Sequence, residues 1–95
     1  MNPRLALRMV RAAARDSARV YFTAHARAQM RQRRITRLQV IECLLRGQIT
    51  EGPAPDVRGG WRCRVERFVA GDEVAVAVAI DQEAGIVVIT VFETR

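Results

Sequence analysis

"TRLQVIECLLRGQIT", residues 36–50, changes its periodicity part-way along. Thr36 and Gln39 have the spacing of a capping box, in which each side chain satisfies the other's backbone N–H at a helix start. Leu38, Ile41 and Leu45 follow as an apolar stripe, widened by Val40 and Leu44, and Gly47 is placed to close the helix as a C′ glycine. Beyond it the period drops to two, so Gly47 divides a helical half from a strand half.

Upstream, Asn2-Pro3 predicts a helix start, asparagine as N-cap and proline at the first helical position. Leu5, Met9 and Ala12/Ala13 form its expected buried stripe. Arg4, Arg8, Arg11 and Arg15 recur at i, i+4, i+7 and i+11 as a basic stripe, whose plainest reading is a solvated face. "VYFTAH" (20–25) reads as a short edge strand or an extended entry to the next helix. Thr23 caps a second helix over Ala24–Arg33, with Ala26 and Met30 on its core side.

Downstream, "QITEG" is a short strand and "PAPDVRGG" a loop. "WRCRVERFV" alternates Trp61, Cys63 and Val65 against Arg62, Arg64, Glu66 and Phe68. Turns are expected at 70–73 and 81–85. "VAVAVAI" puts Val74, Val76, Val78 and Ile80 on one face and only Ala75, Ala77 and Ala79 on the other. Such an alanine face either accepts a close helix backbone or floors a groove open to a ligand or a second protomer. "IVVITVF" is apolar on both faces and reads as a central strand. The expected architecture is α+β: N-terminal helices packed on a three- to four-stranded antiparallel sheet, with residues 1–95 as one domain. The second and third helices should bury Met30, Leu38, Ile41 and Leu45.

The net charge is +6 and the pI about 11.2, and all 16 basic residues are arginine. Residues 1–46 hold eleven arginines against Asp16 and Glu42, a balance of +9; residues 47–95 hold five against eight acids, −3. A lopsided basic half attracts polyanions or an acidic protein. Cys43 and Cys63 are too few for a disulfide scaffold, and with one histidine they make a poor metal set. No run reaches the ~18–20 apolar residues of a membrane span. The reading is a cytoplasmic protein without cofactor or metal.

The single histidine, His25, stands among Arg27, Arg31, Arg33, Arg34 and Arg37. RNA can be cut without metal if a base takes the 2′-OH proton, an acid protonates the leaving 5′-oxygen, and cations hold the phosphorane-like charge. Histidine suits the proton work because its ordinary pKa lies near neutrality. Arginine suits the charge work. His25 is therefore the candidate acid or base, and Arg27, Arg31, Arg34 and Arg37 are candidate RNA-binding residues. No second acid or base among Tyr21, Glu51, Asp56 and Glu66 identifies itself by spacing.

"TAHARAQMRQRRITRLQVIECLLRGQI", "WRCRV" and the terminal "VVITVF" together resemble the family of domains of unknown function numbered 4258. Its pattern is a histidine-alanine pair, an arginine-methionine pair, a second arginine, an isoleucine, a helix ending in glycine and a last strand like "VITVY". The likeness runs from about Val10 to Phe92. That family resembles the RelE and MqsR-like toxins of bacterial type II toxin–antitoxin pairs. The resemblance implies a RelE-like fold, messenger RNA as substrate, on or off the ribosome, and a cognate antitoxin encoded nearby. It implies catalytic roles for His25, Arg33, Arg62 and Arg64. Gln29 departs from the arginine or glutamate usual there, and Phe92 from a tyrosine. The alternative is a non-catalytic RNA-binding or antitoxin-binding module of the same fold.

Overall fold

A computed structural model describes residues 1–57, 59–69, 72–81 and 85–93. In chain order it contains α1 (Pro3–Arg15), a 3-10 turn (Ser17–Arg19), β1 (Val20–Phe22), α2 (Ala24–Arg33) and α3 (Arg37–Arg46). Four strands follow: β2 (Gln48–Pro55), β3 (Trp61–Val69), β4 (Asp72–Asp81) and β5 (Gly85–Glu93). The helices start where their caps predict. Asn2 Oδ1 accepts from the Leu5 N–H at 2.8 Å, and Thr36 and Gln39 exchange both capping-box bonds.

The sheet has five strands in the order β1-β5-β4-β3-β2 and is mixed, which corrects the expected three- to four-stranded antiparallel sheet. Val20–Phe22 pairs parallel to Ile86–Val88, while the other pairings are antiparallel. That parallel partner lies 66 residues away in sequence, beyond the reach of local pattern. β2 also extends through Pro55, into the segment expected to be loop. The turns expected at 70–73 and 81–85 fall in part on residues 70, 71 and 82–84, outside the described residues.

One sheet face is the core. Cys63 and Val65, then Val74, Val76, Val78 and Ile80, then Ile86, Val88 and Val91 are buried beneath α1 and α3. The helices reach it with stripes that keep Ala13, Val40, Ile41 and Leu44 of those expected and replace the rest. In α1 the buried residues are Ala6, Val10, Ala13 and Ala14, whereas Leu5 is 41% exposed. In α3 they are Val40, Ile41, Cys43 and Leu44; Leu38 is 68% exposed, and Leu45 and Met30 are only half-buried. α3 is apolar over a wide arc on either side of its Gln39–Glu42–Arg46 face, so two stripes compete in its sequence. Leu38 stands about 160° from Val40 and loses.

Gly47 ends α3 in extended geometry (φ −77°) rather than as a left-handed cap. It is glycine because a Cβ there would lie 2.5 Å from the Cys43 carbonyl oxygen and 2.7 Å from that of Glu66. The left-handed cap belongs to Arg34 (φ 54°) at the end of α2, where the Ile35 N–H returns to the Met30 carbonyl at 2.9 Å and Ile35 is buried.

The two stripes separate in stability. Leu44→Ala should cost about 2–5 kcal/mol in denaturant melts. Leu38→Ala should stay within ~0.5 kcal/mol of wild type. Equal losses would contradict the observed face.

Candidate functional site

The face of the sheet opposite the core is built in rows by strand register. Glu66, Ala75 and Phe92 lie side by side across β3, β4 and β5; Arg64, Ala77 and Thr90 form the next row, and Arg62, Ala79 and Val87 the next. Because β4 presents only methyl groups here, the Arg64 side chain lies across it. Its guanidinium sits 4.3 Å from the centroid of the Phe92 ring, two strands away. Arg64 Nη2 donates to Glu66 Oε1 at 3.1 Å, and Glu66 is 9% exposed. Arg64 Nε is buried without a hydrogen-bond partner among the described residues. Arg62 is exposed and makes no ion pair among them.

Ala77 of the alanine row, beside Arg62 and Arg64, therefore floors a groove of about 550 Å³, open to solvent and lined by no helix residue, while Ala75 is buried. Thr90, Ile89 and Phe92 of β5 bound one side; Glu51, Gly52, Ala54, Asp56 and Val57 bound the other. Register shifts between Ile49 and Glu51, between Glu51 and Ala54, and between Ala77 and Val78 place bulges in both flanking strands. Bulges bend and twist a strand, and here they turn the β2 wall toward the floor. Gly52 permits this: its φ is +83°, and a Cβ would meet the Arg62 carbonyl oxygen at 2.8 Å.

His25 reaches this side of the sheet by way of α2. The Thr23 N–H donates to the Val88 carbonyl (3.1 Å) and Thr23 Oγ1 to that of Ile89 (3.3 Å). One and a half turns on, Gln29 Oε1 accepts from the Val91 N–H at 2.9 Å. These bonds seat α2 along the edge of β5 beyond β1. Going round the helix from buried Ala26, Gln29 comes at about 60° and His25 at about 100° in the same sense. The order is core, sheet edge, then His25, so its exposed imidazole stands on the open side of the sheet. α2 lies beside β5, and β5 is itself two strands, about 10 Å by strand spacing, from β3. His25 is not among the groove-lining residues.

The other arginines do not converge on the groove. Arg33 is exposed in the last turn of α2. Arg27 and Arg31 flank a shallow slot over Met30 and Ile35, Arg34 is the left-handed cap, and Arg37 sits 5.0 Å from the centroid of Phe22. Sequence reasoning paired Arg62 with Arg64 but missed the carboxylates beside them. Only the bulged course of β2 shows that Glu51, register partner of Arg64, and Asp56 share the groove.

The residues matched by the family of domains of unknown function DUF4258 are 22–93, from the end of β1 to the end of β5. The chain belongs to that family. No curated protein and no solved structure matches it. Within this DUF4258 chain, no group of three His, Cys, Asp or Glu residues is placed to hold a metal ion among the described residues. No helix among them is long and apolar enough to cross a membrane. Burial pushes the Cys63 thiol up to about 11, so it is protonated at neutral pH and a poor nucleophile. Cys43 is buried, with its Sγ 3.4 Å from the Val74 carbonyl oxygen.

Gln29 has a structural task that a glutamate can share and an arginine cannot, since only an acceptor satisfies the Val91 N–H. Gln29→Glu should melt near wild type, whereas Gln29→Leu should lose about 1–3 kcal/mol by orphaning that donor. Equal stability of the two variants would remove the docking role.

Proposed function

We propose that this DUF4258 protein is the toxin of a bacterial type II toxin–antitoxin pair. In this reading, residues 1–95 act as one RelE-like domain in the cytoplasm, an endoribonuclease that cuts messenger RNA without metal. The observation that carries the reading is the open groove lined by Arg62 and Arg64, with His25 exposed on the helix docked against β5.

Arg62 and Arg64 hold the scissile phosphate. Arg64 is pre-positioned by its stack on Phe92 and its bond to Glu66, which lowers the ordering cost of binding. A proton carrier takes the 2′-OH proton, the 2′-oxygen attacks phosphorus, and the P–O5′ bond breaks as a second carrier protonates the leaving oxygen. His25 is one carrier; Glu51, on the β2 wall three strands from β5, is too far from α2 to serve the same phosphate as the second. Phe92 cannot transfer a proton and serves as the platform for Arg64. Arg27, Arg31, Arg34 and Arg37, along α2 and at the start of α3, and Arg33 in the last turn of α2 are further cations for the RNA. An acidic antitoxin segment would compete for the same cations.

The second reading is an RNA- or antitoxin-binding module without catalysis, alone or as a homodimer. It is favoured by the Glu66 carboxylate, which already neutralises part of Arg64, and by the absence of His25 from the groove lining.

A labelled messenger RNA, with and without ribosomes, separates the two. His25→Ala should lower cleavage by ~10²–10⁴ while leaving the fold and RNA affinity intact. Arg62→Ala with Arg64→Ala should weaken both cleavage and single-strand affinity. Wild-type protein that binds RNA but never cuts it establishes the second reading. Absence of RNA binding at low salt rejects the nuclease and the RNA-binding module, and leaves only the antitoxin-binding module.

A further inference from the structure

α1 lies outside the segment that carries the family match, and its outer face is unlike the rest of the molecule. Arg4, Arg8, Arg11 and Arg15 line a surface hollow of about 240 Å³ together with Leu7. Arg4, Arg8 and Arg15 are exposed and have neither an ion pair nor a hydrogen bond among the described residues. Arg11 is half-buried; its Nη2 donates to the Gly47 carbonyl at 3.4 Å and its Nε is buried without a partner.

Within the chain this arrangement is unfavourable three times over. Arg4 and Arg8, like Arg11 and Arg15, are like charges at i,i+4. Arg4 stands in the first turn, at the positive end of the helix dipole, and no acid occupies that turn. Among the described residues, no acidic partner pairs with Arg4, Arg8 or Arg15. We infer that the Arg4–Arg8–Arg15 stripe is a docking surface for the sugar–phosphate backbone of duplex RNA.

The chemistry selects that occupant. The three guanidiniums span about 16 Å along a rigid helix, with gaps of about 6 and 10 Å, so they present a straight row to a stiff polyanion. A single strand would want aromatic platforms, and α1 has no aromatic residue. A membrane surface would want a free apolar face, but Ala6, Val10, Ala13 and Ala14 are 0–3% exposed in the core. A protein interface of ordinary kind has an apolar centre, whereas only half-buried Leu7 lies in the hollow. Arginine forks match phosphate oxygens, and a backbone contact reads no sequence.

Because α1 packs on the core face, the stripe and the groove are on opposite sides of the sheet. One structured RNA could not fill both by a single short segment. The duplex would anchor the protein while a single-stranded stretch enters the groove. The choice of RNA over DNA rests on the proposed function; the stripe itself does not.

The test compares wild type, the combined Arg4→Gln, Arg8→Gln, Arg15→Gln variant, and the combined Arg62→Gln, Arg64→Gln variant. Each is titrated with a blunt RNA duplex, the matching DNA duplex and a single-stranded RNA over a range of salt. Glutamine keeps helix propensity close to arginine, so the stripe variant should melt no lower than wild type. It should bind duplex RNA about tenfold or more weakly at low salt, with the log–log salt slope reduced by about 2–3 units. Its single-strand affinity should be unchanged. The groove variant should show the converse, so failure of the groove reading is visible separately. Duplex RNA binding and slope unchanged in the stripe variant would overturn the inference. DNA duplex bound as tightly as RNA, with the same loss, would overturn the choice of RNA.

Discussion

Valine against alanine on the two sides of β4 is the constraint from which the molecule is built. Val74, Val76, Val78 and Ile80 interlock with α1 and α3, leaving that face buried. Ala75, Ala77 and Ala79 rise too little to meet a second layer of helices. Arg64 therefore lies across the strand and reaches Phe92, and the rest of the face remains a groove. A larger residue at Ala77 would fill that space while leaving the valine face alone. Core and site are two faces of one strand, and the difference in side-chain volume between them keeps both.

Charge is arranged as unevenly in space as in sequence. Several arginines of the basic half have internal duties. Arg11 meets the carbonyl that follows α3, where a helix end favours a cation, and Arg46 shares the Glu42 carboxylate with Arg67 of the other half. Arg37 stacks on Phe22. The groove, by contrast, mixes Arg62 and Arg64 with Glu51, Asp56 and Glu66 nearby, a combination suited to handling protons as well as phosphate. Purely cationic surface is left to the helices.

Local signals in the sequence were sufficient for the caps and the strand faces. Asn2-Pro3 and Thr36-x-x-Gln39 act through neighbours three residues apart, and the alternation of "WRCRV" and "VAVAVAI" follows from the pleat. The shared face of Arg62 and Arg64 was legible for the same reason. Features that depend on distant partners were not. The parallel pairing of β1 with β5 joins the ends of the chain, and Gln29 looks like a surface residue until α2 is known to abut Val91. Glu51 enters the groove only through bulges, which leave no periodic mark. The stripes of α1 and α3 were misjudged because apolar or small residues surround those helices, and packing against the sheet selects among them.

The central claim is that the alanine-floored face receives a single-stranded RNA. Amide chemical-shift mapping during titration with a short single-stranded RNA tests it most directly. Shifts should concentrate at Arg62–Arg64, Ala75–Ala79 and Thr90–Phe92, with the amides of α1 unmoved. Saturable shifts confined to the helices, with those strand amides unchanged, would contradict the account.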